Sequence, residues 1–458
     1  DNGIQGYEID ISEGKITLSA ATDKAAFWGI QTLRQIFAHS RVPLVHIKDF
    51  PDFEYRGFYQ DVTRGKIPKT ETLKSFVDKL ALLKYNSFQI YIEHVFDFEQ
   101  YCGVKERTGY YTADEIRELD DYCYDNFIEF IPSLSCFGHL YELLELDRYK
   151  HLRCKKEELS NINPWSERAA HHTIDPRKSE SLELVISMID AYYPLFRTDK
   201  FNICCDETFD LKELEKEGCD TVELYAEFVS KIVGHLKEQG KTVMMWGDIV
   251  CKHPGISKKL PDGIIYLNWN YNQGAQEKDY QVFEGLDHIV APSVCSQLRL
   301  CEAHHYLVPI IKNAAYYGYK YGARGMLNTN WGDWGNPASL DMALYGTAFG
   351  AAAAWNADSD DCDALHNAVN LHIYKYPKGY EICERINQMH RPLYWHEFVS
   401  DVIKVKSGED PVGIVSLTDI GFAQREYKNI MAEIPMGGND LSEEMRITAE
   451  GICIMYEY

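Results

Sequence analysis

Phe-Asn-Ile-Cys-Cys-Asp-Glu, at residues 201–207, is a short apolar run that ends in two adjacent carboxylates. Such a run predicts a buried strand, and parallel α/β barrels build their active sites at the carboxyl ends of their strands. Asp206 and Glu207 at that end favour acid–base chemistry on a neutral substrate. The structural alternative is that Asp206 caps a following helix and Glu207 lies in its first turn.

Outward from this run, the chain alternates strand-like apolar segments with longer segments of helical spacing. Helices are predicted at 70–83, 112–127, 181–193 and 221–238. Eight strands alternating with helices are typical of a (β/α)8 TIM barrel, an α/β fold. The predicted strands are 56–61, 87–93, 128–134, 200–205, 242–247, 264–269, 288–292 and 325–330. Residues 138–173 are too long for an ordinary connection, so we expect them on the functional face.

The two ends of the chain differ from this middle part. Residues 7–20 predict a hairpin and residues 23–38 an amphipathic helix. One hairpin and one helix cannot stand alone, so residues 1–50 are predicted to be the C-terminal half of a small α+β domain. Asp-Phe-Pro-Asp at 49–52 predicts a linker, residues 51–353 the barrel, and residues 354–458 a mostly helical region.

The amino-acid composition limits the classes of partner that the protein is expected to bind. The 458 residues are 45% hydrophobic and 26% charged, as in ordinary globular proteins. A formal charge of −23 argues against nucleic acid and against an anionic membrane surface, and favours a neutral substrate. The 13 cysteines include no Cys-x-x-Cys pair, and several lie in apolar runs. Reduced, buried thiols predict a cytoplasmic location.

Polar and aromatic side chains recur where the predicted strands end. Aromatic faces pack against the C–H faces of a pyranose, and charged groups hydrogen-bond its hydroxyls. A single tryptophan is more often a core residue, but four converging on one rim favour a sugar pocket. The residues concerned are Asp61, Glu93, His94, His139, Asp206, Glu207, Trp246, Asp248, Trp269, Trp331, Asp333 and Trp334.

An ordered set of residues resembles glycoside hydrolase family 20, the β-N-acetylhexosaminidases. The resemblance runs from residue 7 to residue 349 and includes the end of that family's small N-terminal domain. It rests on Tyr55-Arg56-Gly57 followed by Asp61 and Arg64, on Gly138-His139, on Asp206-Glu207, on Trp246 and Trp269, and on Trp331-x-Asp333.

The chain also departs from the family pattern, as a divergent branch would. Asn-Ile-Cys-Cys at 202–205 replaces His-x-Gly-Gly, and Glu-His-Val-Phe-Asp at 93–97 replaces an acidic loop that contains tryptophan. Ala-Pro-Ser at 291–293 replaces the Tyr-x-Asp that follows the seventh strand. Tyr271 is therefore the candidate for the tyrosine that holds the substrate acetamide.

The resemblance implies a retaining mechanism assisted by the substrate, an exception to the usual two-carboxylate scheme. Glu207 would protonate the glycosidic oxygen and then activate water. Asp206 would hold the 2-acetamido N–H and stabilise the oxazolinium-like intermediate formed when the acetamide oxygen attacks the anomeric carbon. The implied substrate is a glycan or glycoconjugate with a terminal β-linked N-acetylhexosamine, and no cofactor is implied.

Further roles follow from the same resemblance. Arg56 and Asp333 would bind the sugar hydroxyls at the closed end of the pocket, which implies exo action. His139, paired with Glu93, would set the protonation of Glu207. The alternatives are a structural ion pair of Arg56 in the barrel floor and a loop histidine at position 139 that has no catalytic role.

Two other protein classes stay open at the level of sequence. A metal-dependent barrel hydrolase needs clustered ligands, and the 16 histidines include no His-x-His or His-Glu-x-x-His unit. The adjacent pairs His171-His172 and His304-His305 splay apart, so we expect no metal site. A non-catalytic glycan-binding barrel would keep the tryptophans, but the intact Asp206-Glu207 pair argues against it.

Overall fold

The computed structural model describes residues 4–104, 108–155, 172–358, 362–412, 415–434 and 439–458. Part of the long connection predicted at 138–173, including His171, lies outside these ranges. Within them, no helix combines the length and the apolar character needed to cross a membrane.

A three-stranded antiparallel sheet and one helix form the N-terminal unit. Strand β1 (Tyr7–Ser12) lies between β2 (Lys15–Ala20) and β3 (Val45–Asp49), and α1 (Asp23–Phe37) follows the hairpin. The sequence prediction missed β3, whose five residues form a strand by pairing with β1, and Asp49 therefore belongs to a strand rather than to a linker. Short edge strands carry little local signal because their pairing is a tertiary contact.

The middle of the chain forms a closed, eight-stranded parallel barrel, which confirms the predicted (β/α)8 fold. Predicted and observed strands agree closely except at β7, which ends at Asn202 rather than at residue 205. The barrel strands are β4 (Tyr55–Asp61), β5 (Ser87–Ile92), β6 (Glu129–Leu134), β7 (Lys200–Asn202), β8 (Thr242–Trp246), β9 (Ile265–Trp269), β10 (His288–Ala291) and β11 (Gly325–Asn330).

Helices surround the barrel and continue beyond it, as predicted. Those associated with the barrel are α2 (Thr70–Leu82), α3 (Ala113–Asp125), α4 (Tyr141–Leu144), α5 (Ser179–Tyr192), α6 (Leu211–Lys216), α7 (Thr221–Glu238), α8 (Asp248–Lys252), α9 (Lys278–Gln281), α10 (His304–Lys320) and α11 (Leu344–Trp355). The C-terminal region contains α12 (Cys362–Val369), α13 (Gly379–His390), α14 (Trp395–Ser407), α15 (Leu417–Glu433) and α16 (Asp440–Glu457). The predicted boundary after residue 353 falls in the last turn of α11.

Large side chains fill the barrel interior, so the barrel is a packed core rather than a channel. A buried cluster that includes Tyr59, Met244, Leu267 and Leu327 occupies the centre, and Trp246 and Trp331 extend it toward the carboxyl ends of the strands. The aromatic residues at the rim are therefore anchored in the core and cannot move independently of it.

Candidate active site

A cavity of about 180 Å³ opens where the barrel strands end. Parallel strands bring their last residues to the same rim, so residues far apart in sequence meet there. The cavity is lined by Arg64, His139, Asp206, Glu207, Trp246, Trp269, Tyr271, Gln297, Trp331 and Asp333. Of the residues assigned a catalytic or substrate-binding role from the sequence, all line the cavity except Arg56 and Glu93. The other strand-end residues named with them, Asp61, His94, Asp248 and Trp334, do not line it.

A strained turn after β7 presents the two carboxylates. Cys204, Cys205 and Glu207 have φ angles of 56°, 62° and 49°, in the left-handed region that residues with a side chain rarely adopt. The side-chain oxygen of Asn202 supports the turn by accepting the Cys204 N–H at 3.0 Å. The family pattern has glycines at the two cysteine positions, and the positive φ angles give the physical reason.

His139 lies between the carboxylates because a glycine precedes it. A Cβ atom on Gly138 would come within 2.5 Å of the Asp206 carbonyl oxygen, so only glycine allows this approach. The Nε2 atom of His139 is 3.3 Å from an oxygen of Asp206 and 3.4 Å from one of Glu207. Its Nδ1 atom is 3.8 Å from Glu93. One imidazole thus faces three carboxylates.

The charges in the site follow from this arrangement. Burial disfavours a charged imidazole, but the carboxylate of Asp206 outweighs burial and raises the pKa of His139 to about 10. Burial also favours a neutral Glu207, but the contact with charged His139 holds the pKa of Glu207 below its usual value. The free site therefore holds a charged His139 beside an ionised Glu207 at neutral pH.

A second histidine, His172, is neutral and forms a hydrogen bond with the backbone of His139. Burial, and then the charge on His139, lowers the pKa of His172 to about 3. The neutral ring of His172 accepts the backbone N–H of His139 at 3.0 Å through Nδ1. Because His139 has a φ of 58°, this hydrogen bond helps to hold a backbone conformation that is unfavourable by itself.

Arg64 is the cation at the other side of the cavity. Its guanidinium lies 3.3 Å from Asp61, 3.5 Å from Glu93 and 3.2 Å from Asp333. It also lies over the rings of Tyr91 and Trp331, at 5.1 and 5.2 Å. Burial raises the pKa of Asp333, although Arg64 opposes the shift. The sequence signal for Arg64 was its position three residues after Asp61, the last residue of β4.

The structure corrects the expectation for Arg56. It is the second residue of β4 and therefore lies at the opposite end of the barrel from the cavity. Its guanidinium donates to the side chain of Gln5 at 2.9 Å and to the carbonyls of Phe53 and Lys84 at 2.9 and 3.0 Å. A residue at the start of a barrel strand cannot reach the rim formed by the strand ends. The alternative, a structural ion pair in the barrel floor, is right about the location and the structural role, but the hydrogen-bond partners are neutral oxygens.

Glu93 lies behind the cavity rather than in its wall. Its carboxylate accepts a hydrogen bond from Tyr91 at 2.9 Å and contacts Arg64 and His139. Its side chain is buried, so it contacts the residues that line the cavity and does not reach a ligand in the cavity. The expected pairing of His139 with Glu93 is present at 3.8 Å, but a direct contact of Glu93 with substrate is not supported.

Aromatic side chains form the remaining wall. Trp246 and Trp331 pack together with ring centroids 5.8 Å apart, and Trp269 and Tyr271 with centroids 5.3 Å apart. The indole N–H of Trp331 donates to the Tyr271 hydroxyl at 2.6 Å. Burial raises the pKa of Tyr271, which therefore stays a neutral hydroxyl. The sequence did not reveal Gln297, which reaches the cavity from an irregular loop after β10.

One group of described residues has the geometry of a cation site. Ligand atoms of His139, Asp206 and Glu207 lie within 4.8 Å of one another. These are the same groups that acid–base chemistry would use, and the charge on His139 opposes metal binding because a metal ligand must be deprotonated. The donor set therefore fits an imidazolium between carboxylates better than a metal centre.

The barrel and the paired carboxylates at its mouth place the molecule among the (β/α)8-barrel glycoside hydrolases. The chain belongs to glycosyl hydrolase family 20, whose catalytic domain matches residues 53–305 and whose domain 2 matches residues 1–50. The matched segments end before β11, so Trp331, Asp333 and the C-terminal helices lie beyond them.

Individual relatives are distant. The chain is 26% identical over 283 residues to a beta-hexosaminidase of Porphyromonas gingivalis, covering 54% of this chain and 36% of that protein. It is 25% identical over 221 residues to hexosaminidase D of Bos taurus, covering 45% and 60%. The chain thus spans less than two thirds of the length of either relative. A Flavobacterium johnsoniae chitobiase structure has the same fold, with a TM-score of 0.68 at 19% identity over 99% of this chain and 79% of that one.

Proposed function

We propose that this protein is an exo-acting, retaining β-N-acetylhexosaminidase that releases terminal N-acetylhexosamine by substrate-assisted catalysis. The observation that carries the proposal is the position of Asp206 and Glu207 as consecutive residues in one cavity, with oxygens within 4.8 Å of each other. An inverting enzyme needs its carboxyl groups roughly 6.5–9.5 Å apart to hold a water between them. The hexosaminidase names of the relatives support the choice of substrate.

Each carboxylate has a separate task in this mechanism. The acetamide oxygen of the substrate forms a bond to the anomeric carbon while the glycosidic bond breaks and the leaving oxygen takes a proton from Glu207. Asp206 accepts the acetamide N–H, and its buried Oδ1 has no hydrogen-bond partner among the described residues. Glu207 then removes a proton from water, which attacks the anomeric carbon and reopens the oxazoline ring. The first product keeps the β configuration.

The proton for the leaving group comes from the His139–Glu207 pair. In the free site the proton resides on His139, which lowers the pKa of Glu207. A bound sugar displaces water from Glu207, and the loss of solvation raises the pKa of a carboxyl group. Substrate binding therefore favours transfer of the shared proton to Glu207, where the leaving oxygen needs it.

The other half of the cavity recognises the sugar. Arg64 and Asp333 are 3.2 Å apart and offer donors and acceptors to the hydroxyls of a terminal residue. Trp246, Trp269 and Trp331 supply apolar faces. Because charged groups close this end, a longer chain has no path past the terminal sugar, and chitotetraose should give monomer and trimer first. A disaccharide as the dominant first product would contradict exo action.

A pair of substrates tests the mechanism. The 4-nitrophenyl β-glycosides of N-acetylglucosamine and of glucose differ only at the 2-substituent, and we expect turnover of the first alone. Asp206→Asn should weaken both turnover and the binding of a thiazoline mimic of the cyclised intermediate. Equal turnover of the two glycosides, or an inverted first product in proton NMR, would exclude substrate assistance. No turnover of either glycoside would contradict the proposed activity.

We also propose that the protein works in a reducing compartment, the cytoplasm. All 13 cysteines are free thiols, and most of them are buried. A buried thiol is a small apolar side chain that needs no partner. Alkylation in denaturant at the moment of cell lysis, read by mass spectrometry, should show all 13 cysteines alkylated. Disulfide-linked peptides in the alkylated sample would contradict this location.

A further inference from the structure

The first turn of α14 contacts two loops that carry cavity residues. These are the loop after β10 (residues 292–303) and the loop after β11 (residues 331–339). The backbone N–H of Trp395 donates to the carbonyl of Leu298 at 3.0 Å. The indole N–H of the same residue donates to the carbonyl of Trp334 at 2.8 Å. One side chain and its own backbone thus join both loops.

Each of the two acceptor carbonyls belongs to a residue that directly follows a cavity residue in the chain. Leu298 follows Gln297, and Trp334 follows Asp333, and both Gln297 and Asp333 line the cavity. Leu298 and Trp334 also have left-handed φ angles, 66° and 65°. Bulky residues keep such conformations only when their surroundings hold them there. The hydrogen bonds from Trp395 to the two carbonyls are surroundings of this kind.

The last residue of α13 and the segment that leads to α14 are both fixed to the loop after β10. His390 accepts the Leu300 N–H at 2.8 Å through Nε2, and its Nδ1 contacts the Leu393 carbonyl at 2.6 Å. The Arg299 guanidinium lies 3.9 Å from the centre of the Tyr394 ring. Burial lowers the pKa of His390 to about 3, so the neutral ring remains an acceptor at working pH. The residues that precede Trp395 are therefore held against the loop after β10.

We propose that Trp395 is a positioning residue that holds Gln297 and Asp333 in place at the sugar-hydroxyl end of the cavity, so that the C-terminal helical region completes the binding site. This inference rests on the proposed function, because it assigns Asp333 to the binding of a terminal N-acetylhexosamine. Trp395 acts through the backbone of its neighbours and does not line the cavity. Its loss should affect binding of the sugar more than the chemical step.

Trp395→Phe removes the indole N–H and keeps an aromatic ring. We expect KM for 4-nitrophenyl N-acetyl-β-D-glucosaminide to rise about tenfold with kcat within about twofold, since weakened contacts to non-reacting hydroxyls reduce binding in ground and transition states alike. Trp355→Phe is the matched control. It removes an indole N–H that donates to Asp49 at 2.7 Å beside the barrel floor, so it should lower the melting temperature but leave KM unchanged.

A double-mutant cycle identifies the route of the effect. If Trp395 acts through Asp333, the KM of Trp395→Phe/Asp333→Asn should equal that of Asp333→Asn alone. An unchanged KM in Trp395→Phe, equal KM changes in both tryptophan variants, or additive effects in the cycle would overturn the inference.

Calorimetry with N-acetylglucosamine separates this inference from the proposed function. A wild-type protein that binds the sugar without hydrolysing glycosides would contradict the proposed activity, whereas about tenfold weaker binding by Trp395→Phe would still support its positioning role. Wild-type protein that neither binds nor hydrolyses would overturn both.

Discussion

Two buried arginines at opposite ends of the barrel have similar aromatic neighbours and different partners. Arg56 at the floor lies over Trp28 and Trp355, with its guanidinium carbon 5.6 and 4.9 Å from the ring centres. Arg64 at the mouth lies over Tyr91 and Trp331 at 5.1 and 5.2 Å. Arg56 donates to neutral carbonyl groups, whereas Arg64 contacts carboxylates.

The difference in partners shows that one arginine, Arg56, has a structural role and the other, Arg64, a role at the site. The guanidinium nitrogens of Arg56 donate to neutral carbonyl oxygens at 2.9–3.0 Å in a buried position. Arg56 therefore stabilises the junction between the N-terminal unit and the barrel. Arg64 contacts its carboxylates at 3.2–3.5 Å and borders a cavity. Such groups can exchange partners with a ligand at low cost, because the charges stay paired throughout. Substitutions at the mouth and at the floor should therefore change different properties of the protein.

The largest effect is expected at the mouth, for Glu207→Gln. Loss of a general acid should lower kcat on a natural disaccharide roughly a hundred- to ten-thousandfold. The loss should be smaller with a nitrophenolate leaving group, which needs little protonation. Glu129→Gln, which changes a carboxylate paired with Lys200 at the floor, is the control and should retain normal rates. Near-normal disaccharide hydrolysis by Glu207→Gln would remove Glu207 from the mechanism.

The arginine pair should give opposite results on activity and stability. Arg64→Lys keeps the charge but loses the planar donor set, so we expect kcat/KM to fall about ten- to hundredfold with little change in the free energy of unfolding. Arg56→Lys should reduce the free energy of unfolding by about 2–4 kcal/mol, because buried carbonyls lose their donors. Its kcat/KM should stay within about twofold of wild type. Steady-state kinetics and urea unfolding measure both, and the reverse pattern would refute the contrast.

Two histidines should show opposite pH dependence of stability. The folded-state pKa of His139 is raised to about 10, so its contribution is complete below its unfolded pKa of roughly 6.5 and is lost as pH rises toward 10. Burial lowers the pKa of His288 at the floor, so its contribution is present above that unfolded pKa and is lost as pH falls below it. Urea unfolding from pH 5 to 10 should show that His139→Gln flattens the alkaline side and His288→Gln the acidic side. Matching profiles would contradict this assignment of charges.

Removal of metal ions by a chelator should not change the activity, and this is the smallest effect that we expect. Dialysis against EDTA should leave kcat unchanged, since charged His139 competes with any cation for Asp206 and Glu207. Excess zinc should inhibit rather than activate, because binding would occupy the carboxylates that the reaction needs. Loss of activity on chelation and its return with a divalent cation would favour a metal-dependent hydrolase instead.

Much of the site could be predicted because barrel strands have a direction. Once residues 201–207 are recognised as a strand followed by two acids, the rim position of Asp206 and Glu207 follows, and the same rule places Trp246, Trp269 and Asp333. The same rule excludes Arg56, which lies near the start of β4, and favours Arg64, which follows the end of that strand. Gln297 and Trp395 had no such signal, since one lies in an irregular loop and the other follows the barrel.

The sequence by itself determined the barrel, the order of its strands and the location of the acidic pair. Strand and helix periodicity are local properties, and the alternation of the two leaves few ways to fold. Only the tertiary structure decided which arginine meets Asp333, that His139 is charged, and that α14 reaches the loops after β10 and β11. Those features depend on distances of 3–4 Å between residues far apart in the chain, and burial changes the strength of each charge there.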